Sequence, residues 1–195
     1  MNRYSVIFLL IVATPGQVLA EQEYLTELVS EAYETEGSKN EIATKAKSCV
    51  AQIVRFDSVK GTSSRFDKYQ PLDSIQQFEK TADRIDGGNV FVTVDEPGGL
   101  IVANSRQDFS HKFMFAPIKK NVQSTVTIKT KDGRFRIEHS NIERMQKNTG
   151  SLDNDGYTPV GKWKGSDWKH VTEALQGLNA KVSECVKSSA DEDDW

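Results

Sequence analysis

Two alternating segments, Thr125 to Lys131 and Arg134 to His139, meet at Asp132-Gly133, and this junction restricts the fold more tightly than any other feature. Asp-Gly suits a two-residue type I′ hairpin turn, which needs positive φ at both positions. The turn sets the register, and the register sets the faces. Thr130 falls opposite Phe135, Ile128 opposite Ile137 and Val126 opposite His139, giving a side to bury. The other side carries Lys131 with Arg134, Lys129 with Arg136 and Thr127 with Glu138. The expectation is an antiparallel sheet with one apolar face and one strongly basic face.

Further elements surround this hairpin. Asn89 to Asp95 and Leu100 to Asn104 are apolar and β-branched, and Glu96-Pro97-Gly98-Gly99 between them favours a turn, so a second hairpin precedes the first. Ser38-Lys39-Asn40-Glu41 is a capping box, after which Ile42, Ala46, Cys49 and Ile53 keep helical spacing. A last helix begins near Ser166 or Asp167 and lines up Trp168, Val171, Leu175, Leu178, Val182 and Cys185. Within a polar insertion at about 55–88, Ile75, Phe78, Ala82 and Ile85 predict a short helix capped by Asp73 or Ser74 and stopped by Gly87. Residues 145–165, rich in Gly, Asn and Asp, read as a long connection.

The chain opens like an export signal. Arg3 is followed by the apolar run Val6 to Ala13, then Pro15-Gly16 and the small residues of Val18-Leu19-Ala20, which predicts cleavage after Ala20. Eight apolar residues span only about 12 Å as a helix, too little for a membrane of about 30 Å. The expected product, about residues 21–190 as one domain with an acidic tail at 191–195, is free in the periplasm or outside the cell. In that oxidising space Cys49 and Cys185, each on the apolar seam of a helix, are expected to pair across the two helices. Two independent buried thiols are the alternative. Of 25 basic and 28 acidic residues only Arg3 lies in the first 20, leaving 24 − 28 = −4, and Asp191, Glu192, Asp193 and Asp194 account for all of it. The body is neutral, so a nucleic-acid partner is not expected.

Gly37-Ser38-Lys39 opening a helix, Asp95 to Gly99 between strands, and Lys131-Asp132-Gly133-Arg134-Phe135-Arg136 together resemble a bacterial secreted domain-of-unknown-function family with a TATA-binding-protein-like fold. The resemblance covers roughly residues 28–144. It implies an α+β domain in the order β-α-β-β-β-β-α, an antiparallel sheet with two helices packed on one face. It also implies a strand at about residues 28–35, where Leu25, Leu28, Val29 and Ala32 by themselves keep helical spacing; the strand is the expectation carried forward. The family brings no catalytic set or cofactor, and a shared fold does not transfer DNA binding.

Four candidate groups of chemistry-bearing residues remain. Lys129, Lys131, Arg134 and Arg136 suit an anionic partner such as a lipid headgroup, a polysaccharide or an acidic protein; the plainer reading is an edge kept charged against aggregation. Tyr157, Trp163 and Trp168 suit stacking on a sugar or partner, or sealing the core under the loop. Asp153-Asn154-Asp155-Gly156 fails as a calcium loop, because Ser151 and Lys162 stand where the strongest ligands belong. His111, His139 and His170 show no metal-ligand spacing, and no nucleophile elbow or phosphate loop is present, so neither metal nor cofactor is expected. These readings favour a non-catalytic envelope-associated or extracellular binding module. The alternatives are a hydrolase with its site between the open sheet face and the 145–165 loop, and a subunit of an envelope assembly.

Overall fold

The computed structural model describes residues 23–66, 77–113, 116–150 and 154–188. The predicted signal segment, the acidic tail, Ile75 and Asp153 lie outside them. Two short strands, β1 (Glu27–Val29) and β2 (Tyr33–Glu34), precede helix α1 (Lys39–Ile53). Strands β3 (Val59–Phe66) and β4 (Gln77–Ile85) follow, then β5 (Phe91–Asp95), β6 (Leu100–Phe113), β7 (Ala116–Lys131) and β8 (Arg134–Gln146). The two-residue strand β9 (Thr158–Pro159) and helix α2 (Trp168–Ser188) complete the order. Without β3, β4 and β9, and with β1 and β2 counted as one broken strand, this is the β-α-β-β-β-β-α arrangement expected.

The main sheet is antiparallel in the order β1-β8-β7-β6-β5, with β2 and β9 also on β8. The segment before α1 is strand, broken where Ser30 bonds to Ile137 through its backbone N–H at 2.9 Å and its hydroxyl at 3.0 Å. Helical spacing there loses because β8 offers a ladder of backbone partners that a helix would forgo. The expected β7–β8 register is observed at every pair, from Lys131 opposite Arg134 to Val126 opposite His139. Only the turn type differs. Gly133 has φ 72°, but Asp132 does not enter the left-handed region. Asp132 instead directs its carboxylate to the Lys39 N–H at 2.8 Å, and Gly133 exchanges backbone hydrogen bonds with Thr35 and Gly37, so the turn is fixed by what it docks against.

Both helices cover one face. Ile42, Ala46, Cys49, Val50 and Val54 of α1 and its end meet Leu178, Val182 and Val186 of α2 over Ile101, Ala103, Val126, Ile128, Phe135 and Ile137. Ser38 closes the capping box as expected, accepting from the Glu41 N–H while the Glu41 carboxylate accepts from the Ser38 N–H. Cys49 and Cys185 form the disulfide, with Cα atoms 5.8 Å apart. A smaller cluster of Leu25, Val122, Ile142, Val160, Val171 and Leu175 extends the core along α2. It exists because β6 and β7 run far past their apolar segments, and because β8 gains a residue at Asn141, φ 51°, which turns Ile142 inward.

The insertion corrects a prediction. Residues 77–85 are not helical: β4 pairs antiparallel with β3, Val59 opposite Ile85 and Thr62 opposite Thr81. A strand wins there because β3 offers β4 a backbone ladder and is itself anchored, the Thr62 N–H donating to Lys147 and the Thr149 N–H to Thr62. The same contacts shorten the 145–165 connection, since β8 continues to Gln146 and β9 returns to it. Among the described residues no helix is long and apolar enough to cross a membrane.

Candidate functional site

The β7–β8 alternation that buries Ile128, Phe135 and Ile137 sends Lys129, Lys131, Arg134 and Arg136 to the face away from the helices. With Ala32 and Phe135 these four line a groove of about 310 Å³. One acid stands beside it. Glu138, its side chain 13% exposed, holds Lys129 Nζ and Arg136 Nη2, each at 2.6 Å. Burial pushes its carboxyl up, but the Lys129 hydrogen bond and the charges of Lys129 and Arg136 outweigh this and keep it below the usual range. Asp132, at the turn between Lys131 and Arg134, is committed to the N-terminus of α1, where the helix dipole also favours it. Glu34 is the backbone partner of Arg134 without forming an ion pair to it. Among the described residues Lys131 and Arg134 have no carboxylate within ion-pair distance, and both are exposed. The groove therefore carries a net positive charge concentrated at the turn.

The aromatic residues of the 157–168 region do not form one surface. Trp163, 45% exposed, stands edge-on to Tyr24 with ring centres 5.6 Å apart. Trp168 packs on the smaller core cluster beside Lys169. Tyr157 lies on the open sheet face, 5.3 Å from the Arg106 guanidinium, and its hydroxyl donates to Asn121 Oδ1 at 2.5 Å.

Tyr157 belongs to a second polar region that the sequence did not single out. Arg106 is buried between the rings of Phe56 and Tyr157 and donates from Nη1 to the carbonyls of Asp57, Ile85 and Asp86 at 2.9, 3.2 and 2.9 Å. Beside it Asp57, Ser58, Val59, Asp108, Asn121 and Lys147 help to line a pocket of about 220 Å³. Asp108 accepts from Asn121 at 2.7 Å and from Lys147; burial raises its carboxyl, and those two hydrogen bonds bring it below the usual range. Burial pushes the Tyr157 phenol up to about 12, Arg106 opposing and Asp108 and Glu143 assisting. A carboxylate held ionised and a phenol held protonated are not poised for proton transfer near neutrality.

Two further clusters lie on the helix side. Ser105 Oγ, Ser124 Oγ, His139 and Asn179 form a chain with steps of 2.9, 3.0 and 2.8 Å. The partners assign Nε2–H as donor to Asn179 Oδ1 and Nδ1 as acceptor from Ser124. A serine, a histidine and an orienting amide in that order suggest nucleophilic chemistry, but all four residues are at most 4% exposed and lie under α2. They satisfy one another as a core network. At the start of α2, Asp167 holds Lys120 at 2.5 Å and Arg144 at 3.2 Å, beside the stacked rings of His111 and His170. Among the described residues no three His, Cys, Asp or Glu side chains converge as a metal site.

Fold and groove together define a class: a disulfide-linked α+β domain whose helix-free sheet face carries a cationic groove. No family model and no curated protein matches the chain. Among solved structures it is similar to a DUF4468 family protein from Bacteroides ovatus, at 15% identity and TM-score 0.43, over 85% of this chain and 80% of that one. It is also similar to a TBP-like protein from Parabacteroides distasonis, at 14% identity and TM-score 0.46, over 82% of this chain and 91% of that one.

Proposed function

We propose that the protein is an exported, non-catalytic binding module, periplasmic or secreted, that takes an anionic ligand in the groove between the β7–β8 turn and Ala32. The observation that carries this reading is the arrangement of Lys131 and Arg134. Directly opposed like charges cost free energy, and here the acid between them is drawn away to cap α1 rather than left to neutralise them. A negatively charged group entering the groove relieves that repulsion. A merely solvated edge would not need its acid diverted. The ligand is an anionic envelope component, a lipid headgroup or acidic polysaccharide, or an acidic protein surface.

The test is salt-dependent binding to anionic vesicles and to sulfated or uronate glycans, measured by cosedimentation and titration. Reversing Arg134 and Arg136 to Glu abolishes binding, whereas Glu138→Gln, which releases Lys129 and Arg136, strengthens it. Equal binding by all three proteins, or none by the wild type at low salt, rejects the proposal. The hydrolase reading has its pocket, beside Arg106 and Asp108, but Asp108 is tied to Asn121 and Lys147 and held below the usual carboxylate range, and the nearby Tyr157 phenol is pushed up to about 12.

A further inference from the structure

The Cys49–Cys185 disulfide fixes where α2 delivers the chain. Val186, next to the bridge, is buried in the core cluster that holds Phe135 and Ile137. Lys187 places Nζ 5.6 Å from the centre of the Tyr33 ring, and that ring lies 5.2 Å from the ring of Phe135. Tyr33 packs against the core on the helix side of the sheet, while its neighbour Ala32 lines the cationic groove. Helix α2 therefore ends beside β2, and the groove lies just around that strand.

The sequence beyond α2 carries Asp191, Glu192, Asp193 and Asp194 in succession, outside the described residues. An extended chain gains about 3.4 Å per residue, so from Ser188 to Asp194 it reaches about 20 Å. The helix layer it has to descend is about 10–12 Å thick, which leaves the acids within range of the open sheet face. Charge decides what that reach serves. Among the described residues Lys131 and Arg134 have no carboxylate within ion-pair distance, and the Asp132 carboxylate is taken by the Lys39 N–H. A short tether also keeps its charges at an effective concentration of about millimolar, which a dilute external anion has to exceed.

We infer that the acidic segment 191–194 crosses beside β2 and occupies the groove at Lys131 and Arg134, so that the protein carries its own competitor for the anionic ligand. This regulation rests on the groove being the anion site proposed above. Glu31 and Glu34, exposed on the same edge, oppose the passage of the segment. The contact is accordingly weak, and salt or a more highly charged polyanion displaces it.

A nitroxide on Trp195→Cys reports the contact with all four acids in place. In the chain from residue 21, with Cys49–Cys185 intact, amide signals of Ala32 and residues 129–136 should broaden at low salt and recover at high salt, with residues 39–45 of α1 broadened less. The broadening should be lost when Asp191→Asn, Glu192→Gln, Asp193→Asn and Asp194→Asn are combined, and when Lys131→Glu joins Arg134→Glu. A groove covered about nine-tenths of the time binds an external ligand about tenfold more weakly. The unlabelled tail-neutralised chain should therefore bind a sulfated glycan about tenfold more tightly at low salt, whereas Glu173→Gln with Glu184→Gln, which removes acids of α2 and leaves the tail, should gain far less. No broadening of 129–136 at low salt, or broadening that ignores salt and both sets of substitutions, overturns the inference even where the glycan binds the groove. So does a tail-neutralised chain that binds no more tightly than the wild type. Broadening that behaves as expected while no chain binds glycan or vesicle upholds the tail contact and rejects the groove as a site for an external ligand.

Discussion

His139 shows how a residue can look functional and be structural. It sits at 0% exposure, bonded on both ring nitrogens, and burial holds its imidazole below the ordinary histidine value of 6.5 against the opposing Asn179 hydrogen bond. As pH falls, the unfolded chain takes the proton before the folded one does. Stability therefore drops from about pH 6.5 downward until the buried ring itself protonates. His111 is depressed too, by burial and by Lys120, with the same sign, so the loss belongs to both. His139→Gln should flatten part of the acid limb in urea unfolding at pH 7.5, 6 and 5, at a cost of about 1–3 kcal/mol at neutral pH from imperfect pairing of Ser124 and Asn179. An unchanged acid limb in the variant would show that His139 does not titrate on unfolding.

At the scale of elements, Arg106 joins pieces that the chain order separates. Its guanidinium ties the two ends of the β3–β4 insertion to β6 and stacks under Tyr157 from the 154–160 segment. Arg106→Lys keeps the charge but cannot serve three carbonyls and two rings with a compact ammonium. Hydrogen exchange and limited proteolysis across residues 55–88 should accelerate while β7 amides stay protected; equal protection of both would show that the insertion is anchored elsewhere. The insertion is also where sequence periodicity misled. Four apolar residues at helical spacing suit a helix only if a surface waits for them, and the strand partner at Lys147 to Thr149 lies more than eighty residues away. The extensions of β6 and β7 were hidden for a related reason: their outward residues, such as Arg106, Asp108 and Lys119, are polar, and no apolar alternation marks them. The hairpin at Asp132-Gly133 was legible because both its faces are written locally, and so were the four groove cations. That Glu138 neutralises two of them was not, since ion pairing depends on rotamers rather than on spacing.

For the whole molecule, the disulfide is the long-range constraint. It joins residues 136 apart, a closure worth about 5 kcal/mol in the chain-entropy treatment. Cys49→Ala with Cys185→Ala should lower the unfolding free energy by up to about that amount, read from denaturant unfolding with a steeper slope as the unfolded chain expands, with the wild-type sheet signature retained. No loss would mean that helix packing alone sets the architecture. That architecture puts both helices on one face and the cations of β7 and β8 on the other. The most direct test is an amide chemical-shift titration of the chain from residue 21 with a sulfated polyanion at low and at physiological salt. Shifts confined to residues 129–136 and Ala32, reversed by salt and absent from α1 and α2, are the expected result; shifts centred elsewhere, or none at low salt, would contradict the groove as the binding surface.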